Sequence, residues 1–160
     1  MIRGFFAIGI FGPKTQANVG TLWRSAACFG ASFMFTIGHR YKTQPSDTTK
    51  AWKHIPFYEY RDFESFFASL PKETLLLGIE QAENAAKLPT VNHPERAIYL
   101  LGAEDYGLPV EILTQCHRIL EIPSSRCLNV AVAGSIVMYD RVMRGTSAVK
   151  YAKTEAEVKA

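Results

Sequence analysis

Arg96-Ala97-Ile98-Tyr99-Leu100-Leu101-Gly102-Ala103-Glu104-Asp105-Tyr106-Gly107-Leu108-Pro109 sets an apolar run directly against a glycine-bounded acidic turn. The run predicts a strand, and its uninterrupted apolar character points to a parallel sheet covered on both faces. Gly102, Ala103 and Glu104 then fall at the carboxyl end of that strand, where parallel sheets open into ligand crevices. Gly102, having no Cβ, suits the close approach of a flat ring to the main chain.

Working outward, similar runs bounded by turn residues predict further strands over Phe5–Phe11, Ser32–Ile37, Ile55–Tyr60, Thr74–Ile79 and Arg118–Ile122. Between them lie amphipathic stretches. Val19, Leu22, Trp23, Ala26, Ala27 and Phe29 share one face of a helix from Ala17 to Phe29, which Gly30 stops. Asp62–Leu70 ends before Pro71, and Pro109 suits the first turn of a helix to Cys116. A last helix runs from Leu128 to Arg144, and its small residues suit packing against a second subunit or within the monomer. The alternation predicts an α/β fold, a mostly parallel sheet flanked by helices. Residues 1–145 read as one domain and 146–160 as a polar, frayed tail.

The chain has 160 residues, 48% of them hydrophobic, enough for a core without disulfide or metal staples. Its three cysteines, Cys28, Cys116 and Cys127, form no Cys-x-x-Cys pair, which points to a reduced, cytoplasmic setting. Four histidines make no zinc-ligand spacing, so no metal is expected. The apolar stretch after Met1 is far short of the roughly 20 residues that cross a bilayer, and reads as a strand rather than a membrane segment. Charge is uneven: residues 1–60 carry seven Lys and Arg against two Asp and Glu. A polyanion would meet that half. Arg40, Lys42, Lys50 and Lys53 suit phosphates, and Tyr41 or Trp52 offers a stacking face, although a loop with no ligand has the same composition. After the first strand, Gly12-Pro13-Lys14 breaks the Gly-x-Gly-x-x-Gly fingerprint and misplaces the lysine for a phosphate loop, which excludes the common nucleotide folds.

Three stretches stand in order: Asn18-Val19-Gly20-Thr21-Leu22-Trp23-Arg24, Leu101 to Pro109, and Ile122-Pro123-Ser124-Ser125-Arg126-Cys127-Leu128-Asn129-Val130-Ala131. Together they resemble motifs 1, 2 and 3 of the SPOUT methyltransferases, in the SpoU/TrmH branch, over roughly residues 5–144. The resemblance implies a SPOUT fold with a C-terminal deep trefoil knot, in which Leu101 to Val130 passes through an earlier loop. It also implies a homodimer that transfers methyl groups from S-adenosylmethionine to ribose 2′-hydroxyls of tRNA or rRNA. A catalytically silent RNA-binding module of the same fold is the alternative.

Residue by residue, the resemblance implies a cofactor site of Leu77, Gly78, Gly102, Ile122, Cys127 and Leu128, and a catalytic set of Arg24, Asn18, Glu104 and Asn129. A free guanidinium, with a pKa above about 12, is a poor base. Arg24 is therefore expected to grip the target's phosphate and stabilise a developing alkoxide, with Glu104 holding it through an ion pair. Asn18 and Asn129 fix loops or ribose, or simply cap their helices. Where the family usually has Ser-Leu-Asn, this chain has Cys127-Leu128-Asn129, and cysteine is the weaker hydrogen-bond partner.

Overall fold

The computed structural model describes residues 4–38, 50 and 53–148. In chain order its elements are β1 (Phe5–Phe11), α1 (Gln16–Cys28), β2 (Phe33–Ile37), β3 (Phe57–Tyr60), α2 (Phe63–Ala68), β4 (Leu75–Ile79), β5 (Ala86–Lys87), β6 (His93–Pro94), β7 (Arg96–Leu101), α3 (Val110–Leu113), β8 (Arg118–Glu121), α4 (Val130–Arg144) and β9 (Thr146–Ser147). The strands expected from long apolar runs are all present. The two-residue strands β5, β6 and β9 were not expected, because so short a pairing has no periodicity to read. Thr146 and Ser147, assigned to a frayed tail, instead pair in parallel with His93 and Pro94.

Seven strands form one sheet in the order β3-β2-β1-β7-β4-β8-β5, every pairing parallel. The sheet's period of two sorts its side chains between two cores. Phe6, Ile8 and Ile10 of β1, with Tyr99 and Leu101 of β7, join Leu22 and Trp23 of α1 and Val137 and Met138 of α4 on one face. Ala7, Ile98 and Leu100 turn the other way, toward Phe63 and Phe66 of α2 and Ile112 of α3. Burial on both faces explains why these strands read as apolar runs rather than alternating ones. Among the described residues, no helix is long and apolar enough to cross a membrane.

α1 and α4 pack side by side on the first face. Gly134 makes this possible: a Cβ there would lie 2.5 Å from Leu22 Cδ1 and 3.2 Å from Ile8 Cδ1. The contact carries Asn18, in the first turn of α1, up beside Asn129, which caps α4. Strand β7 meanwhile sits between β1 and β4, so its carboxyl end lies at the middle of the sheet edge.

Candidate active site

Three loops leave the carboxyl ends of neighbouring strands β7, β4 and β8 and enclose a crevice of about 290 Å³. Its walls include Ile79, Leu101, Ile122 and Leu128, and its polar lining includes Glu80, Gln81 and Glu104. The loop after β7 doubles back, with Gly107 N–H donating to the Ala103 carbonyl at 2.9 Å. Gly107 takes φ +63°, a left-handed conformation that glycine tolerates best. Gly102 serves this turn too: a Cβ on it would sit 2.1 Å from the Gly107 carbonyl carbon and 2.4 Å from Leu108 N. The space expected to admit a ligand's ring beside Gly102 is thus filled by the chain's own backbone, although Gly102 still lines the crevice.

At the mouth, hydrogen bonds join all three motif stretches. The Asn18 side-chain amide donates to Glu104, and Asn129 Nδ2 donates to Asn18 Oδ1 at 3.0 Å. Asn129 Oδ1 meanwhile accepts from the backbone N–H groups of Ala131 and Val132, at 2.9 and 3.2 Å. Asn129 is both a helix cap and a member of the network, so its two expected uses are simultaneous. Glu104, expected to hold Arg24 through an ion pair, instead accepts from Asn18. Arg24 is exposed on α1 and makes no hydrogen bond or ion pair among the described residues. Six residues separate it from Asn18, about 9 Å along the axis and on another side of the helix. That offset leaves its guanidinium turned to solvent rather than to Glu104.

Ile122, Cys127 and Leu128 line the crevice as expected. Leu77 and Gly78 do not. Leu77 is fully buried in the core facing α1 and α4, and Gly78 packs against Cys116, Leu108 and Leu113. The chain reaches the site at the next residue, Ile79, and then at Glu80 and Gln81, which the motifs do not include. Glu80 Oε2 accepts from Leu108 N–H at 2.8 Å and so fastens the loop after β7. Gln81 Nε2 donates to Ser124 Oγ at 3.1 Å, and Cys127 Sγ donates to Gln81 Oε1 at 3.6 Å, which fastens the loop after β8. A thiol in place of the family's hydroxyl thus still finds an acceptor. A polar pair straight after an apolar strand was the signal available in the sequence.

Of the expected RNA contacts, Arg40 and Lys42 lie outside the described residues, as do Tyr41 and Trp52. Lys50 and Lys53 are exposed and stand away from the crevice lining. Trp23 Nε1–H donates to the Ile55 carbonyl at 3.2 Å, tying the end of that basic connection to the turn of α1 that carries Arg24. Among the described residues, no group of three or more His, Cys, Asp or Glu side chains is placed to hold a metal ion.

This is an α/β protein with a crevice made by strand-end loops and no phosphate-cradling glycine loop after β1. Residues 6–139 match the model of the SpoU rRNA Methylase family, and the chain belongs to that family. It is 27% identical over 134 residues to the mouse tRNA (guanosine(18)-2'-O)-methyltransferase TARBP1, an alignment covering 77% of this chain and 8% of that protein. The chain spans less than a tenth of the length of the first curated relatives it matches. A structure solved to explain 2-OH methylation of C/U34 on tRNA superposes with a TM-score of 0.75 at 25% identity, covering 88% of this chain and 97% of that one. The SpoU methyltransferase AviRb from Streptomyces viridochromogenes, in complex with AdoMet, shares the fold with a TM-score of 0.77 at 22% identity, over 90% of this chain and 59% of that one.

Proposed function

We propose that this chain is an S-adenosylmethionine-dependent methyltransferase that modifies a ribose 2′-hydroxyl of tRNA or rRNA, as a cytoplasmic homodimer. The observation that carries this reading is the run of hydrogen bonds from Glu104 through Asn18 to Asn129, which ties the three motif stretches together at one crevice. Relatives named for the same reaction, over most of this chain, support it.

The crevice suits the donor. Ile79, Ile122 and Leu128 offer apolar walls to an adenine, the main chain after Leu101 offers hydrogen-bonding groups, and Glu80 and Glu104 favour a ligand carrying positive charge. When bound, S-adenosylmethionine would supply a methyl group activated by its sulfonium, and the 2′-hydroxyl that takes it would give up its proton to water. The chain's own part is positioning and charge. Glu104, Asn18 and Asn129 lock the loops; Arg24, which meets no carboxylate among the described residues, is the cation for the target's phosphate and developing alkoxide. Arg40, Lys42, Lys50 and Lys53 extend that positive surface along the RNA.

The second subunit is supported by an apolar groove between α1 and α4, lined by Thr21, Phe29, Val132, Ile136 and Tyr139. Val132 and Tyr139 are 48% and 55% exposed, unusual for one helix unless another surface covers it. Passage of Leu101 to Val130 through an earlier loop, the trefoil knot, belongs to the same reading and is compatible with β7 lying between β1 and β4.

Calorimetry with S-adenosylmethionine, followed by transfer of labelled methyl to tRNA and rRNA from cells lacking the gene, tests the activity. RNA binding without cofactor binding would favour the silent module instead. Sedimentation should show a dimer at micromolar concentration; a stable monomer there would defeat the two-subunit arrangement.

A further inference from the structure

The loop after β7 presents a side chain that no part of the site so far uses. Its tip is three residues, Glu104 to Tyr106, closed by the bridge between Ala103 and Gly107. Glu104 turns inward to Asn18, and Asp105 pairs with Lys14 from the loop between β1 and α1. Tyr106 lines the crevice at its mouth yet is 83% exposed, more than any other large apolar side chain described. The Lys14 ammonium lies 5.0 Å from the centroid of its ring.

The setting gives this exposure meaning. An aromatic ring left in water forgoes the stabilisation that burial brings, and a disordered tip would scatter it. Here the tip is tied at both sides, by the Gly107 turn and by the Lys14 pair, so the ring is held out in a fixed place. A tip with two carboxylates ought also to repel RNA. Lys14 neutralises Asp105, and the Lys14 ammonium holds its proton more firmly because it donates a hydrogen bond to Asp105. What faces an incoming strand is an aromatic face and a balanced ion pair, with the Glu104 carboxylate beside them held by the Asn18 amide.

We propose that Tyr106, steadied by the Lys14–Asp105 pair, is the platform on which the base of the nucleotide to be methylated stacks. A 2′-hydroxyl can be aimed into the crevice only if its nucleotide leaves the neighbouring stack, and unstacked bases in RNA are held chiefly by aromatic rings. Stacking reads no base edge, so the platform accepts any base and aligns the ribose, while base identity is read elsewhere. This rests on the methyltransferase reading above.

The test uses the full chain with tRNA and rRNA from cells lacking the gene, and three variants. Tyr106→Leu keeps apolar bulk but no π face, and its KM for RNA should rise about tenfold. Its affinity for S-adenosylmethionine alone should stay within about twofold of the unsubstituted chain. Tyr106→Phe should restore the KM. Lys14→Gln should raise it further as salt is lowered, because Asp105 then repels the backbone. An unchanged KM in Tyr106→Leu, with cofactor binding and transfer intact, overturns the platform alone. No methyl transfer by the unsubstituted chain overturns the enzyme reading, and the platform with it.

Discussion

α4 joins two polar clusters of opposite character. At its start, Asn129, Asn18 and Glu104 form an exposed network beside a crevice, and Arg24 on the adjoining helix is exposed, with no ion pair among the described residues. At its end, His93 and Arg141 are 2% and 3% exposed, and their polar atoms are matched. Arg141 donates to the carbonyls of Pro94 and Glu95, at 2.6 and 3.0 Å, and to the Tyr99 hydroxyl at 3.1 Å. That hydroxyl lies 2.6 Å from His93 Nδ1, and His93 Nε2 lies 2.7 Å from Asp140. The carboxylate can only accept, so Nε2 carries the proton and Nδ1 accepts from Tyr99. Burial without orphans marks a structural joint that fixes α4 on the amino ends of the strands. Exposure with an unmatched cation marks the end that meets something else.

The largest expected effect breaks the buried end. Arg141→Ala removes a donor from the Pro94 carbonyl, from the Tyr99 hydroxyl and from the Glu95 carbonyl, which keeps the Phe5 N–H, and empties space over Phe6, whose ring centroid lies 5.0 Å from the guanidinium. The loss should be about 3 kcal/mol or more, read by urea or thermal unfolding. Arg24→Ala is the counterpart at the open end. Methyl transfer should fall about a hundredfold or more, with the thermal midpoint unchanged, since Arg24 makes no hydrogen bond or ion pair among the described residues. If instead the midpoint dropped and transfer persisted, the contrast between the two ends would be wrong.

The buried strands were legible because apolar runs such as Leu75–Leu77 and Ala97–Leu101 leave little choice of structure. The motif residues Gly102, Glu104, Ile122, Leu128 and Asn129 were legible too, each being fixed by local sequence. Their partners were not. Glu104 meets Asn18 across 86 positions of chain, and reasoning from charge alone assigned it to Arg24. Leu77 and Gly78 fall just short of the crevice, whose lining begins at Ile79, because nothing local says where a strand stops being core and begins to face a crevice. The cluster of His93, Tyr99 and Arg141 gave no signal, since each is an ordinary residue whose burial depends on where β6 and α4 meet.

A smaller effect separates loop fastening from charge at the open end. Glu80→Ala orphans the Leu108 N–H and loosens the loop that Gly107 turns, so affinity for S-adenosylmethionine should weaken about tenfold by calorimetry. Glu80→Gln keeps a carbonyl acceptor. Recovery in Gln would mean that Glu80 works as a hydrogen-bond acceptor; continued weakness would mean that its negative charge is what the ligand feels.

The gentlest probe is acid, which should reach the buried end first. Burial holds the His93 imidazole below the ordinary value near 6.5; Asp140 pulls it partly back, while Arg141 and Arg144 push it down again. With the folded pKa depressed, the unfolded chain binds the proton more readily, so stability rises with pH through the interval below about 6.5. On acidification it should decline from about pH 6.5, by at most about 1.4 kcal/mol per pH unit for one proton. The decline from this group ends once the folded imidazole is itself protonated. Asp140 acts lower down: although burial raises its pKa, hydrogen bonds from Arg144 and His93 outweigh that and hold it below the ordinary 3.8. Its contribution is present above about 4 and is lost only as pH falls through the lowered value. Urea unfolding at pH 7.5 and pH 5.5 should therefore show a loss that shrinks in His93→Gln, which keeps a donor for Asp140 without the titration. A pH dependence unchanged in that variant would place the acid-sensitive group elsewhere and remove His93 from the joint's energetics.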